Sequence, residues 1–195
     1  MINSTPLLRR GDLSLIQQGA MILAGTALIA LAAKITIPMW PVPVTLQTLA
    51  VLTVGLTFGS RMGALTLLAY LAEGAMGLPV FAAGVGPAVL VGPTAGFLWG
   101  FVLMAWIAGR AVETGLARGP VSTSVTALVA TAALYVPGVA WPYAVASMFG
   151  IEASWASTSA ATLWSGWVAP FLVGDAVKAV LAALAVTGAA RALRG

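Results

Sequence analysis

The stretch PFLVGDAVKAVLAALAV, residues 170–186, decides the class of fold, because it is an apolar run interrupted by only two charged residues. The run continues to about Ala192, which gives roughly 20 residues, the length of a membrane-spanning helix. Asp175 and Lys178 are three residues apart, so on a helix they share one face. Charges inside a membrane helix are costly and are normally retained for a binding site or a transport pathway. The stretch therefore predicts a membrane protein with a polar site on its last helix.

The composition of the whole chain supports an integral membrane protein. Of the 195 residues, 61% are hydrophobic and only 7% are charged, against about 25% in a soluble domain. The net charge is +4, but the basic residues form no cluster, which argues against nucleic acid as a partner. The absence of Cys and His excludes disulfides, thiolate nucleophiles, imidazole bases and the usual zinc ligands. We expect one transmembrane domain over residues 1–195, in the cell (inner) membrane, without a cofactor.

Six apolar segments predict an all-α fold with six transmembrane helices, because Gly, Pro and charged residues separate them. Pro38, Pro41 and Pro43 end the first segment, and GSRMG, residues 59–63, separates the second from the third. The predicted helices run from about Leu13 to Ile35, Thr45 to Phe58, Ala64 to Leu78, Thr94 to Glu113, Val121 to Met148 and Phe171 to Ala192.

Two connecting segments have unusual compositions. The stretch PVFAAGVGPAVLVGP, residues 79–93, is rich in Pro and Gly but carries no charge. Apolar, non-helical backbone at a membrane must be buried in protein or line a cavity, because lipid cannot satisfy its amides. We therefore expect a re-entrant-type loop between the third and fourth helices. The polar, Trp-rich segment over residues 150–167 is predicted to lie at the membrane interface.

The arginine residues predict that both termini are cytoplasmic. With the N-terminus inside, every Arg falls on the inner side, as the positive-inside bias requires; these residues are Arg9, Arg10, Arg61, Arg110, Arg118, Arg191 and Arg194. The opposite side receives tryptophans, which we interpret either as an interfacial aromatic belt or as a lid over a ligand; these are Trp40, Trp141, Trp155, Trp164 and Trp167.

Three charged residues are predicted to lie within the outer halves of helices: Glu73, Asp175 and Lys178. An ion pair between Asp175 and Lys178 would neutralise both charges without any ligand, but such pairs contribute only a few tenths of a kcal/mol at a surface. Alternatively, a ligand that carries N–H donors and a negative group would use the acid as an acceptor and the lysine as a cation. Lys34, at the end of the first helix, can extend its ammonium to the headgroups.

Four ordered stretches resemble the BioY family, the substrate-binding membrane subunits of energy-coupling-factor (ECF) transporters for biotin. These stretches are IPMWPVPVTLQTLAVL (37–52), AYLAEGAMGLPVFAAG (69–84), VGPTAGFLWGF (91–101) and PFLVGDAVKAVLAALAV (170–186). The resemblance implies that biotin is bound from outside, in a pocket near the outer membrane face. The family's Asp-x-x-Lys pattern matches Asp175 and Lys178, and the loop over residues 79–93 would line the pocket.

The chemistry of biotin agrees with that resemblance. Its ureido ring needs an acceptor and a donor, its thioether ring needs an apolar slot, and its carboxylate needs a cation. We assign Asp175 to the ureido N–H groups and Lys178 or Lys34 to the carboxylate. The predicted substrate-binding residues are Asp175, Lys178, Tyr70, Gln47, Thr45 and Glu73. Thr45 and Gln47 could equally cap and pack the start of the second helix, and Tyr70 could be a core residue.

Energy for uptake has to come from outside this chain or from a gradient, since the sequence has no GxxxxGK[ST] phosphate loop. The resemblance implies a transmembrane coupling subunit and two ATPase subunits as partners. The first helix offers small side chains at which another helix can approach closely, namely Ala20, Ala24 and Ala27. The same alanines could instead pack against helices of this chain.

Two other classes of protein fit parts of the sequence. A stand-alone, oligomeric secondary carrier for biotin or a similar small carboxylate is the stronger alternative, because Glu73 could exchange protons and a homo-oligomer could form the path. An enzyme is not expected, since His and Cys are missing and Asp175 is the only predicted intramembrane Asp.

Overall fold

The structure, a computed structural model, describes residues 14–156 and 158–193. Arg9, Arg10 and Arg194, which support the predicted orientation, and Leu13, the predicted start of the first helix, lie outside the described residues. The regular secondary structure of the described part is helical apart from one two-stranded ribbon, which confirms the all-α prediction. Five of its helices are long and apolar enough to span a membrane; they are Leu15–Lys34, Gln47–Ala75, Ala95–Glu113, Pro120–Val145 and Leu172–Ala192.

Helix α1 (Leu15–Lys34) begins at a capping box. The Ser14 hydroxyl accepts a hydrogen bond from the Gln17 amide, while the Gln17 side chain accepts one from the Ser14 amide at 2.8 Å. The helix ends before the proline-rich turn, which folds into a short antiparallel ribbon of β1 (Thr36–Ile37) and β2 (Val44–Thr45). This ribbon brings the chain directly to the start of the next helix.

Helix α2 (Gln47–Ala75) folds back on itself at Gly59, whose backbone is non-helical with φ 80° and ψ 176°. A methyl group built on Gly63 would lie 3.2 Å from the Cα of Gly55, a distance that a straight helix cannot give. The two arms of α2 therefore run in opposite directions. They correspond to the predicted second and third helices, but a single glycine replaces the predicted five-residue loop. By length and composition α2 counts as one candidate span, so six separate spans are not shown.

Helix α3 (Ala95–Glu113) packs against α2 through glycines that allow the backbones to touch. A methyl group on Gly55 would lie 2.6 Å from the Ala105 carbonyl oxygen, and one on Gly109 would lie 2.3 Å from the Gly59 carbonyl carbon. The carboxylate of Glu113 accepts hydrogen bonds from the Ser60 amide at 2.9 Å and from its hydroxyl at 2.7 Å. The C-terminal end of α3 and the reversal of α2 therefore meet at one end of the bundle.

Helix α4 (Pro120–Ala140) continues as a π-helical turn (Trp141–Val145) and a short helix α5 (Ala146–Met148). The predicted fifth helix, Val121 to Met148, is thus a regular α-helix only as far as Ala140. Pro142 explains the change, because it has no N–H to donate to the preceding turn.

The predicted interfacial segment contains a short helix α6 (Ala160–Leu163) and a second π-helical turn (Trp164–Val168) before α7 (Leu172–Ala192). Helix α7 packs against α4 and α2, whereas α1 packs mainly against α2. The loop over residues 79–93 contains a 3-10 helix, Pro87–Val91. Its burial is only partial, since Ala83, Gly84 and Val85 are exposed.

Candidate functional site

The first turns of α7 carry the two charged residues that the sequence singled out. Asp175 and Lys178 are only 4% and 7% exposed, and the Lys178 ammonium lies 2.5 Å from the Asp175 Oδ1 atom. The intrahelical ion pair, which the sequence left open as one alternative, is therefore formed. Burial of two charges is expensive even when they are paired, so further hydrogen bonds are needed to satisfy them.

Asp175 receives those hydrogen bonds from two neighbouring helices. The Thr48 hydroxyl of α2 donates to its Oδ1 atom at 3.0 Å, and the Tyr135 hydroxyl of α4 donates to its Oδ2 atom at 2.8 Å. One carboxylate thus joins α2, α4 and α7. Sequence reasoning missed Thr48 and Tyr135; the only signal for them was a hydroxyl group within an otherwise apolar segment.

Lys178 is held by the backbone as well as by the acid. Its ammonium donates to the Thr45 carbonyl oxygen at 2.8 Å, where the ribbon passes into α2. Because a lysine ammonium has three N–H donors, this bond and the ion pair with Asp175 leave one donor for another partner.

Gln47 and Tyr70 form a second polar group beside the ion pair. The Gln47 amide donates to the Tyr70 hydroxyl at 2.9 Å, and that hydroxyl donates to the Val80 carbonyl oxygen at 3.0 Å. Tyr70 is fully buried and its ring meets Phe81 edge-on, with 5.5 Å between the centroids. The tyrosine therefore links the site to the loop over residues 79–93.

A cavity that is partly open to the outside adjoins these groups; the space between its walls, including open solvent, is about 600 Å³. Its polar lining residues are Thr45, Gln47, Thr48, Thr94, Asp175 and Lys178. The rest of the wall is largely apolar and includes four aromatic rings, those of Phe81, Phe97, Phe101 and Phe171. The cavity thus has one charged end, and the rest of its wall is largely apolar.

The aromatic wall is fixed by close packing. The Phe97 ring lies 6.2 Å from that of Phe171 and meets Tyr135 edge-on, with 6.0 Å between the centroids. A methyl group on Gly138 would come within 2.6 Å of the Phe97 ring, so the glycine leaves the space that this ring occupies.

The loop over residues 79–93 supplies the remaining wall through Phe81, Ala82, Ala83 and Val89. Side chains from the surrounding elements donate hydrogen bonds to its carbonyl groups. Lys34 donates to Phe81 at 2.7 Å, Trp99 to Leu90 at 3.3 Å, Trp141 to Gly92 at 2.9 Å and Trp167 to Pro93 at 3.3 Å. The interpretation of Trp141 and Trp167 as a belt or a lid was therefore incomplete, because both anchor a cavity wall.

The structure brings together four of the six predicted site residues in the cavity lining: Thr45, Gln47, Asp175 and Lys178. Tyr70 is absent from that lining and acts through Gln47 and the loop. Glu73 is also absent from it and is half-buried elsewhere on the second arm of α2. Within residues 14–156 and 158–193, no group of three or more His, Cys, Asp or Glu side chains could hold a metal ion.

The fold and the cavity define a multi-pass membrane protein with an apolar cavity that has a charged end. A family model described as "BioY family" matches residues 5–195. The chain is 38% identical to the biotin transporter BioY of Rhodobacter capsulatus over 80% of this chain and 84% of that protein. It is 49% identical to the biotin transporter BioY of Thermotoga maritima, over 45% of this chain and 53% of that protein.

The fold is also similar to that of a solved structure, the S-component for biotin from an ECF-type ABC transporter. The TM-score is 0.70 at 22% sequence identity, over 92% of this chain and 95% of the other. The family match and the similarity to the Rhodobacter capsulatus relative show that the chain belongs to the BioY family.

Proposed function

We propose that this protein binds biotin and supports its uptake across the cell membrane as the substrate-binding subunit of an ECF-type transporter. The observation that carries the proposal is the buried Asp175–Lys178 pair at the charged end of a largely apolar, aromatic-walled cavity. The relatives named as biotin transporters support the same substrate.

The geometry favours one end of biotin for this pair. Asp175 and Lys178 are in direct contact, so they present an acceptor and a donor side by side. A ureido group also presents an N–H donor next to a carbonyl acceptor, which suits the pair as a unit. The aromatic wall then receives the thioether ring. Lys34, whose ammonium reaches the loop wall at Phe81, is the cation left for the carboxylate.

Equilibrium binding of labelled biotin to the purified protein tests this proposal. Asp175→Asn removes the charge and half of the acceptor capacity, so we expect the affinity of the folded fraction to fall by at least about tenfold, alongside a loss of stability. Glu152→Gln, at an exposed carboxylate, is the matched control and should bind as the parent does. Unchanged affinity in a folded Asp175→Asn protein would overturn the assignment of the site.

We also propose that the cavity faces outward and that the chain crosses the membrane six times, with each arm of α2 counted as one crossing. Arg61 and Arg110 lie at the end where α3 meets the reversal of α2, opposite the cavity, which suits the positive-inside bias. In a chain without Cys, Val85→Cys should react with a membrane-impermeant maleimide in intact cells. Leu116→Cys, exposed between α3 and α4, should react only after permeabilisation. The reverse pattern would invert the orientation.

Uptake requires partners, for which the exposed side of α1 is the proposed docking face. Ala20, Ala24 and Ala27 are all exposed, while the opposite side of α1 packs on α2. Small side chains allow close approach of a coupling subunit, which in turn carries two ATPase subunits. Ala24→Leu should preserve biotin binding but lower ATP-dependent uptake in reconstituted vesicles, whereas Ala185→Leu, at an exposed position on α7, should change neither binding nor uptake. Uptake by this chain alone that collapses with a protonophore would support a secondary carrier instead.

A further inference from the structure

We propose that Tyr135 is a positioning residue for Asp175, which sets the direction in which that carboxylate accepts a hydrogen bond from the ligand. This inference rests on the proposed function and deepens it, because it concerns how the cavity recognises the ureido end of biotin. Tyr135 is absent from the cavity lining, yet its hydroxyl donates to Asp175 Oδ2 at 2.8 Å. It therefore acts on the ligand through the acid.

The available acceptor positions on Asp175 can be counted. A carboxylate has about four lone-pair positions, two on each oxygen. Oδ1 already receives the Thr48 hydroxyl and the Lys178 ammonium. Within the described residues, Oδ2 receives only Tyr135. One acceptor position remains, on Oδ2, and the tyrosine hydroxyl determines which of the two it is.

Packing around Tyr135 makes its hydroxyl a fixed donor. The Phe97 ring meets the Tyr135 ring edge-on, and Phe97 is held in turn by Phe171 and by the space that Gly138 leaves. Because the Tyr135 hydroxyl occupies one lone-pair position of Oδ2 in a fixed direction, the direction of the remaining lone-pair position is also fixed. A ligand N–H group that arrives from the cavity therefore meets an acceptor whose direction is already set, so less freedom has to be lost on binding.

Tyr135→Phe tests the proposal, because it removes one oxygen and keeps the ring. We expect biotin to bind about tenfold more weakly, since a hydrogen bond to a charged group is lost and the carboxylate is no longer oriented. The control is Tyr143→Phe, at an exposed tyrosine just beyond the end of α4. Its affinity for biotin should match that of the parent protein.

Ligand analogues separate positioning from a general loss of structure. Biotin methyl ester reports on the carboxylate end, and biotin methylated on either ureido nitrogen reports on the end at Asp175. In the parent protein, we expect at least one N-methyl analogue to bind much more weakly than biotin. In Tyr135→Phe the ratio of the affinity for biotin to that for the N-methyl analogue should shrink several-fold, because the acceptor has become less directional. The ratio of the affinity for biotin to that for its methyl ester should stay unchanged.

The outcomes distinguish this inference from the proposed function. If the parent protein binds no biotin, the proposed function fails. Suppose instead that the parent binds biotin and Asp175→Asn does not. The positioning role alone is then overturned if Tyr135→Phe binds like the parent, or if it changes the affinity ratios for the N-methyl analogue and for the methyl ester equally. Should Tyr135→Phe not fold, Thr48→Val offers the same test at Oδ1, since it removes the other hydroxyl donor and keeps the side-chain shape. An unchanged N-methyl ratio in that variant would also contradict orientation of Asp175 by neighbouring hydroxyls.

Discussion

Gln47 and Tyr70 are hydrogen-bonded at 2.9 Å although they lie 23 residues apart on α2. A straight helix would separate them by about 35 Å, at 1.5 Å per residue. The contact exists because the chain reverses at Gly59. The reversal places a cavity-lining amide beside the tyrosine that holds the Val80 carbonyl. One glycine at the far end of the bundle thus determines the alignment of two parts of the site.

Gly59→Ala should therefore destabilise the protein. A residue with φ 80° and ψ 176° is in a region that essentially only glycine adopts, and the strain costs about 1–3 kcal/mol. We expect a lower midpoint of thermal unfolding for the purified protein in detergent. Gly188→Ala, in α7 with no atom within 4 Å of the added methyl group, should unfold like the parent or slightly later. Equal midpoints for both variants would contradict a strained reversal.

The ion pair on α7 should show strong coupling when its members are replaced singly and together. Asp175→Asn or Lys178→Met leaves one buried charge without its counterion, which costs about 3–5 kcal/mol. The double variant removes both charges, so we expect it to be more stable than either single variant, while biotin binding is lost in all three. Thermal unfolding together with equilibrium binding measures both effects. If the double variant has the summed instability of the two single ones, the charges do not depend on each other.

The sequence predicted most of the helices, because a span must be a long apolar run whatever its neighbours are. The starts and ends of α1, α3 and α7 agree with the prediction within a few residues. The single-residue reversal at Gly59 was not predictable, because it depends on Gly109 approaching from another helix. The π-helical turn after Ala140 was missed for a related reason, since a proline shows that regular helix is interrupted but not which geometry follows.

The candidate site was predictable only to the extent that buried charge indicates it. Asp175 and Lys178 stood out because ionised groups are rare in membrane helices. Thr48 and Tyr135 did not, because hydroxyl groups can satisfy themselves in many ways and their partner lies 127 and 40 residues away, respectively. For Glu73, the sequence indicated how deep the residue lies along its helix. It did not indicate the direction of the side chain around the helix, which leaves Glu73 outside the cavity lining.

Glu73→Gln should leave biotin binding unchanged within about twofold. Glu73 is outside the cavity lining, so the loss of its charge removes no contact that we assign to the ligand. Equilibrium binding measures this directly, with Asp175→Asn as the variant that fails to bind. A large loss of affinity on Glu73→Gln would show that the carboxylate reaches the ligand in the bound state. It would also revive the alternative of a proton-coupled carrier.

Trp141→Phe should weaken biotin binding without removing it, because the tryptophan acts on a wall of the cavity. Its indole N–H donates to the Gly92 carbonyl at 2.9 Å, while its ring stacks on Phe149, with 6.3 Å between the centroids. Phenylalanine keeps an aromatic ring for stacking but removes the indole donor, a loss of about 0.5–1.5 kcal/mol, and leaves the Gly92 carbonyl with the Ala95 amide, at 3.1 Å, as its donor. We expect affinity to fall about two- to tenfold, with faster amide hydrogen exchange over residues 87–93. Trp164→Phe, at an exposed tryptophan, should change neither quantity. If exchange rises but affinity stays constant, the loop does not contribute to the bound state, and the cavity wall that it forms plays no part in holding the ligand.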